Sequence, residues 1–255
     1  MALHGPLGLR LHEGEGGAQA SATLLPRIQS MLREQGLRAA DLQAVAFGCG
    51  PGAFTGLRTA CAVAQGLALG AGCPVVPVDS LMLVAEDAAG PPAAAAQPTE
   101  PAQPTEHVKH AEHVKHAEHG PGTLAAVAMD ARMGEVYAAL YRRAGPPAAA
   151  GWEVLQPPGL YEPEALARRW REPLRAAGAA LLLAAGNGWA LLPAHTLPVH
   201  AQVRVDRSRA AALARLAWRL LQEGAGVDPA HALPLYLRDK VALTVAERAA
   251  AAAAA

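Results

Sequence analysis

The stretch GCGPGAFTGLR, residues 48–58, is the part of the sequence that decides the fold. It follows the apolar run of residues 44–47, which predicts a short strand, and it opens the helical pattern of residues 55–69. Glycines permit backbone conformations that other residues resist, so the sequence predicts a strand, a tight loop and a helix. The loop could hold a phosphate on backbone N–H groups at the start of the helix, but a simple tight turn explains it equally well.

The glycine loop differs from the two common nucleotide-binding patterns. It lacks the lysine and the Ser/Thr order of a P-loop, and it is not the G-x-G-x-x-G of a dinucleotide site with its acidic residue. Arg58 could meet a phosphate or a carboxylate, although an arginine in a first helical turn is more often a solvated or interface charge. On the residues alone, the loop therefore does not identify a ligand.

The first part of the chain alternates helix and strand. Residues 21–34 carry apolar side chains at the spacing of one helix face, residues 74–78 predict a buried strand, and residues 80–87 predict a short helix. This alternation is typical of layered α/β proteins. We assign residues 1–88 to a first lobe.

Residues 89–120 change composition abruptly. They are rich in proline and alanine and contain two copies of HVKHAE. The histidines of this repeat could bind a transition metal loosely, but a low-complexity repeat explains them better, because a metal site needs fixed geometry. We expect a mobile linker.

A second lobe is predicted for residues 121–205, followed by a C-terminal helix and tail in residues 206–255. Residues 124–129 and 135–141 predict two strands joined by a tight hairpin, and further strands are expected at residues 152–155 and 179–183. A short helix is expected at residues 162–171, and Asp206 can cap the last helix.

The bulk properties exclude several classes. The net charge is zero and the pI is about 7.2, so a strongly basic nucleic-acid face is not expected and any role on RNA is exercised through a partner. Three cysteines without metal-ligand spacing indicate reduced thiols. The sequence shows neither a signal pattern nor an apolar stretch of ~20 residues, which predicts a cytoplasmic protein with no membrane contact.

Asp130, Arg132 and Glu135 form the best polar cluster. Carboxylates near a strand end could bind a metal or act as acid and base, but an arginine between two acids is more typical of a salt-bridged hairpin. Cys49 has no neighbouring base, and no G-x-S-x-G elbow is present. No catalytic residue and no metal ligand is assigned.

Three blocks of the sequence together resemble the TsaB family, also called YeaZ. The first is GCGPGAFTGLR with the small-residue helix that ends in QGLALG, the second is MDARMGEVY at residues 129–137, and the third is PLYLR at residues 234–238 followed by KVA. The resemblance covers residues 20–243 apart from the insertion. It implies a two-lobe α/β protein of the actin-like ATPase fold.

The resemblance also implies a function. Members of the family are non-catalytic partners of a larger paralogue, TsaD, which places threonylcarbamoyladenosine on transfer RNA, and a TsaE-type ATPase serves the same pathway. The implied pairing surface is formed by the first two helices, so the expected partner-binding residues are Leu24, Ile28, Met31, Leu32, Thr55, Ala60 and Gly66. The same apolar stripe could equally pack on the chain's own sheet. The expected signature residues are Gly48, Gly50, Gly52, Thr55, Gly56 and Arg58 in the loop, with Asp130, Arg132 and Glu135 in the second lobe.

Several alternatives stay open. The family normally begins with a strand that carries an Asp-Thr pair, and Met1 to Gly5 looks like the end of that region, as if translation began late. No cofactor is firmly implied, although weak binding of ATP with magnesium at a complex interface fits the fold. An ATPase or small-molecule kinase of the same fold is the alternative function, a peptidase is disfavoured, and a homodimer competes with the heterodimer.

Overall fold

A computed structural model describes residues 1–14, 20–90, 120–145, 151–178, 182–197, 203–204 and 209–238. The expected linker and its histidine repeat lie almost entirely outside these residues, as does the expected cap Asp206. Among the helices in these ranges, none is both long and apolar enough to cross a bilayer.

The first lobe contains two separate two-stranded sheets. β1 and β2 form an antiparallel hairpin, while β3 and β4 are parallel and joined by α2. The elements are β1 (Ala2–Gly5), β2 (Gly8–Leu11), α1 (Ala20–Glu34), β3 (Val45–Gly50), α2 (Phe54–Ala71), β4 (Val75–Asp79) and α3 (Ser80–Ala89).

The second lobe is one five-stranded sheet in the order β7-β6-β5-β8-β9. β5, β6 and β7 are antiparallel neighbours, whereas β8 runs parallel to β5 on the other side. The elements are β5 (Leu124–Arg132), β6 (Glu135–Arg143), β7 (Trp152–Tyr161), α4 (Pro163–Ala177), β8 (Leu182–Ala185) and β9 (Val203–Arg204). The C-terminal helix α5 (Arg209–Gln222) follows and lies against α3 and β4.

One apolar core joins the two lobes. Side chains of β4 and α3 in the first lobe pack with those of β5, β6 and α5, and Val78, Leu81, Val127, Tyr141 and Leu216 are all almost fully buried in this cluster. A second cluster lies on the opposite face of the five-stranded sheet, beneath α4, with Trp170 at its centre. The mixed α/β architecture expected from the sequence is therefore confirmed.

A fully buried carboxylate, Glu86, lies where α3 meets α5 and β7. It accepts hydrogen bonds from Arg215 Nε at 2.7 Å and from Trp152 Nε1 at 3.0 Å, and its backbone carbonyl accepts another from Arg215. Charges inside a protein are stable only when they are paired and hydrogen-bonded. Glu86 therefore fixes the relative positions of three elements.

Most predicted elements are confirmed, including the hairpin of β5 and β6, but one hairpin was missed and two predictions were wrong in extent. The hairpin of β1 and β2 was not predicted. α4 continues to Ala177 instead of ending at residue 171, because Trp170 and Leu174 continue its buried stripe past Pro173. β7 runs to Tyr161 instead of residue 155, because an edge strand with bulges tolerates prolines in its path.

Candidate functional site

Polar groups of the glycine loop form hydrogen bonds with other parts of the same chain. Gly50 has φ of +124°, which favours glycine, and its peptide bond to Pro51 is cis. Its N–H donates to Ser80 Oγ at 3.0 Å. This donor is therefore already used and is not directed at a ligand.

The C-terminal segment, residues 232–238, packs directly on the loop. Leu235 N–H donates to the Cys49 carbonyl at 2.7 Å, and a Cβ added at Gly50 would lie 2.5 Å from the Leu235 carbonyl oxygen. A glycine is required at this position because the two backbones approach so closely. Gly52 has no such neighbour, since a Cβ there would be 3.7 Å from Leu57.

Arg58 joins the start of α2 to the same segment. Its guanidinium lies 4.0 Å from the Phe54 ring centroid, and its Nε donates to Tyr236 Oη at 3.2 Å. The rings of Phe54 and Tyr236 are 5.2 Å apart. Thr55 and Gly56, beside this stack, are exposed to solvent.

The polar cluster of the second lobe forms the turn between β5 and β6. Asp130 accepts a hydrogen bond from Arg132 N–H at 2.7 Å, and Arg132 and Met133 both have positive φ. Arg132 forms the expected ion pair of the hairpin with Asp130 at 3.7 Å, whereas Glu135 pairs with Arg238 at 2.7 Å. Arg238 also donates to the carbonyls of Ala131 and Arg132, so it holds a turn that few non-glycine residues adopt.

The three blocks singled out in the sequence thus meet in one place. Leu235 and Tyr236 contact the glycine loop, and Arg238, three residues further on than Leu235, contacts the hairpin turn. We call this the signature patch, formed by residues 48–58, 130–135 and 235–238. It is a structural junction between the lobes whose exposed parts include Arg58, Met133 and Tyr236.

Comparisons with known proteins agree with this arrangement. Residues 15–244 match the family model described as TsaD, tRNA N6-adenosine threonylcarbamoyltransferase. The chain is 31% identical over 226 residues to the tRNA threonylcarbamoyladenosine biosynthesis protein TsaB of Escherichia coli, covering 86% of this chain and 80% of that protein.

The chain belongs to the TsaB (YeaZ) family.

Solved structures support the same conclusion. The chain is similar to YeaZ from Pseudomonas aeruginosa with a TM-score of 0.66 and 29% identity, over 92% of both chains. A TsaB of Haemophilus influenzae is 46% identical over 65 residues, which are 26% of this chain and 28% of that protein. The resemblance inferred from the three sequence blocks is therefore confirmed.

One block of this TsaB-family site was missed in the sequence. Gly186, Asn187 and Gly188 follow β8, and added Cβ atoms at the two glycines would lie 2.3 and 2.7 Å from the backbone of Ala128. Asn187 Oδ1 accepts from Asp130 N–H at 3.0 Å, which supports the hairpin turn. The signal was a glycine pair directly after a strand, the same pattern that marks the loop after β3.

The apolar residues expected to meet a partner lie along one cleft of the chain. Met31 and Leu32 are buried, and together with Leu24, Ile28 and Ala60 they line an apolar cleft between β1 and β3. Thr55 and Gly66 are exposed on α2. A role for any of these residues toward a partner stays a prediction.

The half-buried thiol of Cys49 lies in the glycine loop. Burial raises the pKa of Cys49 to about 11, with a further contribution from Asp79, so the thiol is protonated at neutral pH. Within the described ranges, no group of three or more His, Cys, Asp or Glu side chains is arranged to hold a metal ion.

Asp79 links the two lobes beside the loop. Its carboxylate accepts a hydrogen bond from Tyr141 Oη at 2.5 Å and from the N–H groups of Leu81 and Met82 at the start of α3. Burial raises the pKa of Asp79, and the hydrogen bonds lower it by less than burial raises it. The folded protein therefore disfavours the ionised form of Asp79.

The raised pKa of Asp79 predicts that the free energy of unfolding depends on pH. Because the folded-state pKa is raised, the contribution of Asp79 to stability is present below its unfolded pKa and is lost as pH rises through the folded value. The stability of the parent chain relative to Asp79→Asn is expected to fall in urea titrations as pH rises above about 4, the ordinary pKa of an aspartate.

Exposed Asp41 provides the control for that titration. The hydrogen bond from Arg38 lowers the pKa of Asp41, so Asp41→Asn should change the profile in the opposite direction. A parallel shift of the two profiles would contradict the assignment of burial as the cause at Asp79.

Proposed function

We propose that this chain acts in the synthesis of threonylcarbamoyladenosine on transfer RNA as a partner of the TsaD transferase, without a catalytic centre of its own. The observation that carries the proposal is the closure of the glycine loop by Ser80 and by the C-terminal segment. In a family whose members are named for this biosynthesis, a loop whose Gly50 N–H and Cys49 carbonyl are bonded within the chain fits a supporting subunit.

The neutral net charge of the chain supports a role in which TsaD, and not this chain, binds the transfer RNA. Binding to RNA phosphates requires a concentration of lysines and arginines, whereas this chain has 22 basic and 22 acidic residues. Several arginines are moreover used in internal contacts, including Arg58, Arg215 and Arg238. Transfer RNA is therefore reached through TsaD, and the TsaE-type ATPase acts on the assembled complex.

The proposed partner surface is the exposed side of α2. Thr55, Ala62, Gly66, Leu69 and Gly70 are all exposed, and they recur at helical spacing. Cβ atoms added at Gly66 and Gly70 would meet nothing within 4 Å, so another helix can approach the backbone closely here. Leu69 is 64% exposed and provides the apolar contact that a partner helix would bury.

A substitution at Gly66 can test partner binding without disturbing the fold. Gly66→Trp adds a large side chain where this chain has no neighbour, so the thermal midpoint should stay within a few degrees of the parent value. The affinity for TsaD should fall at least about tenfold, measured by isothermal titration calorimetry, because the bulky ring prevents close helix approach.

Two variants control this measurement. Gly66→Ala should stabilise the isolated chain by about 0.5–1 kcal/mol while largely keeping TsaD affinity. Ala176→Trp, on the exposed side of α4, should leave the affinity unchanged. Equal TsaD affinity for Gly66→Trp and the parent chain would show that the exposed side of α2 is not the interface.

The alternative function is an ATPase of the same fold. The uncapped start of α2, with exposed Thr55 and Gly56, is the feature that favours it, since free N–H groups there can hold a phosphate. Turnover of ATP with magnesium by the isolated chain, abolished by Thr55→Val and kept by Ala62→Val, would support it. Absence of turnover in the isolated chain supports the partner role.

A further inference from the structure

A small cleft of about 190 Å³ lies in the second lobe, between α4 and the short helical turn Ala194–Thr196. The volume is below the ~300–1,000 Å³ of drug-sized sites, so the cleft suits a small chemical group. We call it the α4 cleft, and none of its residues belongs to α2 or to the signature patch. Its apolar lining consists of Ala167, Leu174 and Leu197, and its polar lining consists of Arg171, Arg175, His195 and Thr196.

The polar lining of the α4 cleft carries positive charge. Arg171 and Arg175 are four positions apart on α4, so they lie on the same side of the helix. Among the described residues that line the cleft, none is an aspartate or a glutamate. Glu172 pairs with Arg175 at 2.9 Å, but both side chains are mostly exposed, and such a pair is weak. The two arginines can therefore bind an anion in the cleft.

Thr196 brings a buried hydroxyl to the same cleft. The residue is 7% exposed, and its Oγ1 is buried without a hydrogen-bond partner among the residues that the structure describes. Buried hydroxyls are almost always paired, because leaving one unpaired costs free energy. Rotation about χ1 exchanges the hydroxyl with the methyl group of the same side chain, which is of similar size. A ligand in the cleft can therefore give Oγ1 the partner that it lacks.

We propose that the α4 cleft binds the phosphate group of a small phosphate monoester. Arg171 and Arg175 contact its oxygens from α4, because guanidinium groups bind phosphate through paired N–H donors. His195 and Thr196 donate from the opposite wall, one through an imidazole N–H and the other through its hydroxyl. A monoester carries close to two negative charges at neutral pH, which matches the two arginines.

Two other anions fit the α4 cleft less well. A carboxylate is planar and carries one charge, whereas the donors of the cleft come from two walls and surround a tetrahedral group better. A phosphodiester of RNA also carries one charge, and RNA binding requires a row of cations along many phosphates. The cleft contains two arginines in a chain with equal numbers of basic and acidic residues, which favours a single terminal phosphate.

The probes are methyl phosphate, a monoester, and dimethyl phosphate, the matched diester. Binding to the full chain is followed by NMR chemical-shift changes at constant ionic strength, because phosphate also stabilises proteins nonspecifically and its effect on a thermal midpoint would be ambiguous. Saturable binding of methyl phosphate is expected, with shifts concentrated at Arg171, Arg175 and Thr196. Dimethyl phosphate should bind at least about tenfold more weakly, since it has one charge and fewer free oxygens.

Arginine variants of α4 test the location of the site. Arg171→Gln and Arg175→Gln should each weaken methyl phosphate at least about fivefold, because each removes a charged donor. Arg168→Gln makes the same change of charge on the same helix, but Arg168 is exposed and does not line the cleft, so its affinity should equal that of the parent. All three positions are on the surface, so the variants should fold like the parent.

Variants of Thr196 test the hydroxyl. Thr196→Val removes an unpaired buried group, so without phosphate its thermal midpoint should equal or exceed that of the parent chain. Its affinity for methyl phosphate should nevertheless fall at least about threefold, because one donor is lost. Thr196→Ser keeps the hydroxyl and should keep the affinity.

Four results would overturn the proposal. The first is the absence of saturable methyl phosphate binding, and the second is equal affinity for dimethyl phosphate, which would indicate a site for phosphodiesters such as RNA. The third is equal affinity of Arg171→Gln and Arg168→Gln, which would place the anion elsewhere. The fourth is a clearly lower thermal midpoint of Thr196→Val without phosphate, which would show that the hydroxyl is already paired in the free chain.

Discussion

Glu86→Ala is expected to lower the free energy of unfolding by about 3–5 kcal/mol, because it leaves buried cationic and polar groups without their partner. The substitution removes the only carboxylate that Arg215 and Trp152 contact in the described structure. Burial lowers the pKa values of Arg143 and Arg219, and the charge of Glu86 raises both. Without Glu86, several partly buried arginines are left near one another with no compensating charge.

Urea unfolding of Glu86→Ala and Glu153→Ala compares the loss of a buried ion pair with the loss of an exposed one. Glu153 pairs with Arg142 at 3.1 Å, but both side chains are about half exposed, so its removal should cost about 0–1 kcal/mol. Glu86→Gln should lie between the two, because an amide oxygen still accepts from Trp152. Similar losses in Glu86→Ala and Glu153→Ala would contradict a central role for the buried charge.

Gly50→Ala is expected to destabilise the chain by about 2–4 kcal/mol, since a positive φ and an overpacked contact each cost of the order of 1–3 kcal/mol. The new methyl group would lie 2.5 Å from the Leu235 carbonyl oxygen, so the C-terminal segment must move. Its movement would break the Leu235–Cys49 hydrogen bond and loosen the contact between Arg58 and Tyr236.

Gly52→Ala is the matched control, because its methyl group would make an ordinary contact of 3.7 Å with Leu57 and its φ is not positive. The thermal midpoint should fall by several degrees for Gly50→Ala and stay nearly unchanged for Gly52→Ala. Limited proteolysis after residue 232 should also become faster in Gly50→Ala alone. Equal midpoints would mean that the loop does not need glycine for this close approach.

Local patterns made much of the fold predictable from the sequence. The strand before the glycine loop, the helix after it and the hairpin of residues 124–141 each depend on neighbours within a few residues. Periodicity and turn chemistry report such neighbours directly. The three blocks of the signature patch were instead found by their joint resemblance to the TsaB family, because the glycine loop alone is equally explained by a tight turn.

Contacts between distant residues could not be predicted in this way. Arg238 lies 103 positions after its partner Glu135, and nothing local to either residue marks the pair. Glu86 lies on a short helix, and nothing local to it indicates burial, although the fold buries it completely. The stripe of Leu24, Ile28, Met31 and Leu32 has the same spacing whether it faces a partner or a cleft, because an apolar helix face does not specify what covers it.

Reconstitution of the modification reaction tests the partner role most directly. The TsaD paralogue, the enzyme that supplies the threonylcarbamoyl donor and the TsaE-type ATPase are combined with transfer RNA, with or without this chain, and modified adenosine is measured. Gly66→Trp serves as the variant that keeps the fold and loses the proposed interface. A partner role predicts modification only with the parent chain, whereas equal modification in its absence would contradict that role.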